Sequence, residues 1–155
     1  MPILATNKRA NFDYAISDKY EAGLVLLGHE VKSVKTGHVS LKGSFITLKS
    51  RKGNRLPEMF LINAHIPLYK HAGTVKDYEP TRSRPILLKK KEIKHLLGKK
   101  QESGLTLIPL KLYTKHSFIK LEFGIGRGKK KYDKREIIKK REVERSLRTL
   151  TKKTR

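Results

Sequence analysis

Alternation of apolar and polar positions is cleanest near the end of the chain. There Ile119, Leu121, Phe123 and Ile125 are separated by Lys120, Glu122 and Gly124, the pattern of a strand with one buried face. Residues 105–114 form another strand. Pro109 within it marks an edge, a bulge or a barrel corner, because proline donates no ladder hydrogen bond. Earlier, Phe12, Tyr14 and Ile16 alternate with polar or small neighbours, and Ser17-Asp18-Lys19 supplies a turn into a second strand over 20–27. Residues 45–49 and 59–64 read as a hairpin around the loop Arg51-Lys52-Gly53-Asn54.

Two segments switch to helical spacing. Over 28–36, Val31 and Val34 share one face, Lys32 and Lys35 lie on another, and Gly37 is placed as a C-terminal cap. Over 89–97, Ile93, Leu96 and Leu97 stand at i, i+3 and i+4, with Gly98 following. About six strands, with one helix after the second and another before the fifth, predict a mainly β fold. The expected form is a small antiparallel barrel of the oligonucleotide-binding type, since closure removes exposed strand edges.

Charge then narrows the partner. The chain of 155 residues has 37 Lys and Arg against 14 Asp and Glu, a formal net charge of +23. A domain this basic repels itself unless a polyanion neutralises it, and nucleic acid is the usual partner. With 37% hydrophobic residues it still holds a core. Residues 127–155 carry 14 basic and 4 acidic side chains with few apolar ones, too few to bury a core. The chain is therefore expected to divide into a folded body over 1–126 and a basic tail over 127–155.

Gly124-Ile125-Gly126-Arg127-Gly128 reads as a flexible exit into that tail. Asp133 and Glu136 then have N-cap and N3 spacing, predicting a helix from Lys134. Val143, Leu147 and Leu150 make a thin apolar stripe. A lone helix of this kind is marginal in water, so the tail is expected to be disordered when free and to order on a phosphate surface.

Other chemistry finds little support. There is no cysteine, which removes disulfides and thiol catalysis and suits a reducing cytosol. No apolar run reaches the ~20 residues of a membrane span, and the N-terminus lacks a signal-peptide core. A soluble, cytoplasmic protein is expected. The glycine cluster fails as a phosphate loop, because position 123 is Phe and position 130 is Lys. Six scattered histidines show no metal-ligand spacing, and no nucleophile or carboxylate pair stands out. Neither metal, cofactor, small-molecule substrate nor enzymatic activity is expected.

Two sites have competing readings. Glu30, in the first turn of the first helix, either complements the helix dipole or accepts hydrogen bonds from RNA amino and 2′-hydroxyl groups. Arg82 and Arg84, between Pro80 and Pro85, either grip phosphate or pair with Glu79 or Asp77. Lys32 and Lys35 are phosphate candidates.

Several longer words add to this. Asn7-Lys8-Arg9-Ala10, Tyr20-Glu21-Ala22-Gly23, Glu30-Val31-Lys32-Ser33, Asn63-Ala64-His65-Ile66, Glu92-Ile93, residues 104–110 and Tyr132-Asp133-Lys134-Arg135 resemble, in order, the SsrA-binding (small protein B) family. The resemblance implies a barrel that grips the tRNA-like domain of transfer-messenger RNA, as a monomer and without chemistry of its own. It also implies that the tail enters the decoding centre of a stalled ribosome, against small-subunit RNA, where an anticodon arm would sit. Matching positions for the RNA face are Asn7, Lys8, Arg9, Glu30, Lys32 and Ser33. Lys129 and Lys130 match the junction. Tyr132, Asp133, Lys134 and Arg135, continuing to Ile138, Lys139 and Arg141, match the tail, with Tyr132 as a ring for base stacking.

Some positions depart from the family pattern. His29 stands where a small residue is usual, and Pro85 where a basic one is, which weakens the transfer to Arg82 and Arg84. Residues 51–57 form a longer loop, and Gly126 replaces a customary Ala, implying a looser exit. A structural ribosomal protein, held on ribosomal RNA by its tail, is the alternative reading. A phosphate-handling enzyme is a third, without a motif to support it.

Overall fold

A computed structural model describes residues 2–101 and 104–153. Its elements are β1 (Ile3–Thr6), α1 (Ala10–Asp13), β2 (Tyr14–Leu24), α2 (Gly28–Lys35), β3 (Phe45–Lys49), β4 (Glu58–Ile62), β5 (Arg84–Leu87), α3 (Lys90–Lys100), β6 (Leu105–Lys115), β7 (Phe118–Gly128) and α4 (Lys131–Lys153). The strands follow the order β1-β6-β3-β4-β5-β2-β7, and β7 pairs back onto β6. Six strands thus close a ring, with β1 added on β6, and every pairing is antiparallel. The expected barrel is present.

Its strand count arose differently from the expectation. The first two predicted strands are one, β2, and Ser17 falls at a bulge between Ile16 and Asp18 rather than in a turn. Phe12 belongs to the short helix α1. β1 and β5 were not expected; β5 includes Arg84 and Pro85, which read as an irregular loop. α3 continues through Gly98 to Lys100. Pro109 does mark a bulge, between Pro109 and Lys111, and Gly37 caps α2 with φ +85°.

Ile119, Leu121, Phe123 and Ile125 all point inward with Leu107, Leu112, Ile46, Met59, Leu61 and Ile86. Tyr20 stacks on Phe123 with ring centroids 5.5 Å apart. A smaller cluster lies outside the ring. Ala10 of α1 covers Ile108 and Leu110, with Tyr14 and Ile16 alongside. β6 is therefore apolar on both faces near its bulge, and α1 is fixed against the wall.

The glycine cluster is not a flexible exit. β7 runs to Gly128 and stays paired with β2 from Lys120 to its end. A Cβ on Gly124 would lie 3.0 Å from the Asp18 carbonyl oxygen, and one on Gly126 would lie 3.0 Å from the Ala15 carbonyl oxygen. Close approach of two backbones, not mobility, calls for glycine here. The helix then begins at Lys131, three residues before the expected start, with Asp133 inside its first turn.

Candidate nucleic-acid interface

The barrel wall beside α1 opens into a cleft of about 740 Å³ lined by Asn7, Lys8, Arg9, Lys42, Ser44 and Thr106, with Leu41 and Ile108 among its apolar residues. Asn7 pins this segment to the β6 bulge. Its backbone N–H donates to Leu110 O at 2.7 Å and its side-chain amide to Pro109 O at 2.9 Å. Lys8 and Arg9 are thereby held exposed at the mouth. Arg9 leans on Asp13 at 3.5 Å, while Lys8 and Lys42 form no ion pair among the described residues. A rigid rim of cations over a partly apolar floor suits a phosphate backbone with sugar or base tucked below.

A second basic surface lies on α2. Lys32 and Lys35 are exposed, whereas Ser33 and Val34 face inward. Buried Ser33 donates to Pro67 O at 2.9 Å, or to His38 O at 3.2 Å. That bond holds a loop carrying Tyr69, Lys70 and His71 against the helix. Lys32 Nζ sits 5.9 Å from the Tyr69 ring centre, and His71 packs edge-on to the same ring at 5.5 Å. Aromatic and basic side chains alternate here as single-stranded RNA contacts require. Sequence reasoning missed Tyr69 and Lys70, although the run Leu68-Tyr69-Lys70-His71 carries that alternation.

Glu30 and Arg84 are each 0% exposed. Arg84 Nε donates to Glu30 at 2.6 Å, and the Arg82 guanidinium closes on the same carboxylate. The Leu27 backbone N–H adds a bond at 2.9 Å. The remaining Arg84 nitrogens donate to Ala64 O at 2.7 Å, Pro80 O at 2.9 Å and the Tyr78 hydroxyl at 3.3 Å. Tyr78 in turn lies 2.6 Å from Ile66 O. Burial alone raises the Glu30 carboxyl, but Arg82, the Leu27 N–H and Arg84 outweigh it and hold the group below its ordinary value.

Glu30, Arg82 and Arg84 are thus brought together, yet not as an open RNA site. Arg82 pairs with Glu30 rather than with Glu79 or Asp77 as the structural reading had it. The cluster ties the start of α2 to the 78–84 segment and β4's exit, so it shapes the surface that bears Lys32 and Tyr69. His29 fits beside it, edge-on to Tyr78 with ring centroids 4.6 Å apart.

The opposite wall is charge-matched. Lys111 pairs with Glu122 at 3.1 Å and Lys115 with Glu21 at 3.2 Å, and the Tyr113 hydroxyl bonds to Glu21. Burial, then the Glu21 carboxylate, pushes the Tyr113 hydroxyl up, and that hydroxyl's bond in turn lowers Glu21.

Past the barrel, Lys129 is half-buried and Lys130 exposed. In α4, Asp133, Arg135, Ile138, Lys139 and Arg141 are exposed, while Lys134 turns toward α1. Tyr132 lies in the helix backbone, and its side chain is outside the described residues. Among the described residues, no group of three His, Asp or Glu is arranged to hold a metal, and no helix is long and apolar enough to cross a membrane.

Residues 4–153 match the family profile described as "SmpB protein". The chain is similar to the SsrA-binding protein of Geobacillus kaustophilus (strain HTA426), 49% identical over 145 residues, covering 94% of this chain and 89% of that one. It is 47% identical over 153 residues to the SsrA-binding protein of Thermosipho melanesiensis (strain DSM 12029 / CIP 104789 / BI429), covering 98% and 99%. Its fold also resembles a chain in a solved structure described as "tmRNA-SmpB: a journey to the center of the bacterial ribosome". The TM-score is 0.64 at 40% identity, covering 86% of this chain and 92% of that one.

Proposed function

As the chain belongs to the SmpB family of SsrA-binding proteins, we propose that it binds the tRNA-like domain of transfer-messenger RNA and delivers it to stalled ribosomes for trans-translation. Its partners are that RNA and the ribosome, and it works in the bacterial cytoplasm as an adaptor without chemistry of its own. The observation that carries the reading is the reach of the family match, residues 4–153, which takes in the cleft, α2 and α4 together.

In this reading Lys8, Arg9 and Lys42 meet phosphates at the cleft, and Lys32 and Lys35 meet them on α2. Asn7, Ser33, Glu30, Arg82 and Arg84 hold those surfaces in shape. Barrel and RNA together take the outline of a tRNA, with protein in place of the anticodon arm. Lys129 and Lys130 lead α4 into the decoding centre and the empty mRNA channel. There Tyr132 stacks on a base, worth about 1–3 kcal/mol, and Asp133, Lys134, Arg135, Ile138, Lys139 and Arg141 follow along small-subunit RNA. The distal helix, exposed throughout, relies on that RNA for its order.

Purifying the protein from its host and sequencing the RNA bound to it tests the proposal. Transfer-messenger RNA should dominate. Ribosomal RNA alone would instead identify a structural ribosomal protein.

A further inference from the structure

Helix α1 sits between two cationic systems and touches both. The Phe12 ring, half-buried, lies 5.7 Å from the Arg9 guanidinium, 6.0 Å from Lys134 Nζ and 5.6 Å from the Arg141 guanidinium. Lys134 and Arg141 are seven residues apart, two helical turns, and so reach the ring from one face of α4. The Asp13 carboxylate pairs with Lys134 at 3.2 Å and with Arg9 at 3.5 Å. The Lys129 backbone N–H donates to Asp13 O at 2.8 Å and its side chain to Asn11 O at 2.6 Å. Beyond Arg141, every described α4 side chain is exposed.

We infer that Phe12 and Asp13 are positioning residues that clamp the first three turns of α4 to the barrel at a fixed direction. The inference rests on the function proposed above only for its use: one geometry relates the RNA in the cleft to the helix bound for the decoding centre. Arg9 is the link between them, because it lines the cleft and also shares both the Phe12 ring and the Asp13 carboxylate with α4. A phosphate that draws Arg9 away removes a competing cation from the clamp and a like charge from beside Lys134. RNA in the cleft therefore tightens the clamp, and by reciprocity the clamped helix favours RNA binding.

The chain has no cysteine, so spin labels on Ser50→Cys and Glu142→Cys, the latter at the end of the clamped turns, report the barrel-to-helix distance in the full protein. Electron–electron resonance should give a single distribution that narrows when the tRNA-like RNA is added. Phe12→Ala with Asp13→Asn should broaden it about twofold, as expected for a released helix sampling a cone of directions. Phe12→Tyr, which keeps the ring, should restore the narrow distribution. RNA affinity and the thermal midpoint are read on every variant. If the double variant does not fold, Arg141→Gln reads the same ring contact from the helix side.

A wild-type distribution already as broad as the double variant's overturns the clamp, as does a double variant no broader than wild type. Loss of RNA binding by the wild-type chain would overturn the functional reading instead, because the clamp is measured in the free protein as well.

Discussion

In the barrel, Arg84 is fully buried, its charge met by Glu30 and its nitrogens by four further acceptors. In α4, every described side chain from Ile138 onward is exposed, the apolar Val143 and Leu147 among them. The same residue types therefore serve opposite ends. Inside the fold, a cation is structural because its partners are internal. On the helix, Lys134 and Arg141 still lean on α1, while the side chains beyond them face solvent. Under the proposed function, the barrel should fold without the tail, and the tail should find its complement on RNA.

The largest expected effect concerns the outward-facing cations as a group. If about 6–10 phosphates are neutralised on binding, RNA affinity should fall about 10³–10⁵-fold between about 50 and 200 mM salt. Titrations at several salt concentrations give the slope, and a flat response would mean the lysines only solvate the fold.

Next comes the internal pair. Glu30→Gln leaves Arg84 buried without its counter-charge and should cost about 3–5 kcal/mol in denaturant unfolding. Because the folded carboxyl is held below its ordinary value of 4.5, its stabilisation is full above that value and fades as pH falls through the lowered one. The wild-type stability advantage over Glu30→Gln should shrink in that acid window and stay constant above it. An advantage that is level through the acid window would remove the ion pair from the account.

A smaller effect separates packing from charge. Gly126→Ala places a Cβ 2.9 Å from Ile108 Cδ1 and 3.0 Å from Ala15 O. It should cost about 1–3 kcal/mol as overpacking, read as a lowered unfolding midpoint with an unchanged salt slope of binding. The smallest is Lys42→Gln at the cleft rim, which should reduce that slope by about one and leave stability untouched.

Much of the barrel is legible in the sequence. The period-two run from Ile119 to Ile125 placed β7 and its inward face, and Pro109 announced a real bulge. Other elements escaped for physical reasons. β1 and β5 have four residues each, too short for periodicity to register, and β5 opens with Arg84-Pro85, a pair that reads as loop. The β6–β7 turn uses His116 and Ser117 at φ 49° and 68°, where Asn-Gly is the usual signal.

The site was less legible than the fold. Charged residues count as surface until a partner is known, so nothing local announced that Glu30 and Arg84, 54 positions apart, neutralise one another in the interior. Phe12 read as a strand residue because its neighbours alternate. Lys42 and Tyr69 join the basic surfaces only through tertiary packing.

The division of labour is tested most directly by a stop codon after Gly128, with RNA binding and peptide tagging on stalled ribosomes measured side by side. The barrel keeps its core and its cleft, so the truncated protein should fold. Its affinity for transfer-messenger RNA should drop only by the general charge and clamp contribution that leave with α4. Tagging should nevertheless be lost, because the element proposed to enter the decoding centre is gone. Tagging at the normal rate by the truncated protein would contradict the account and reduce α4 to a counterion.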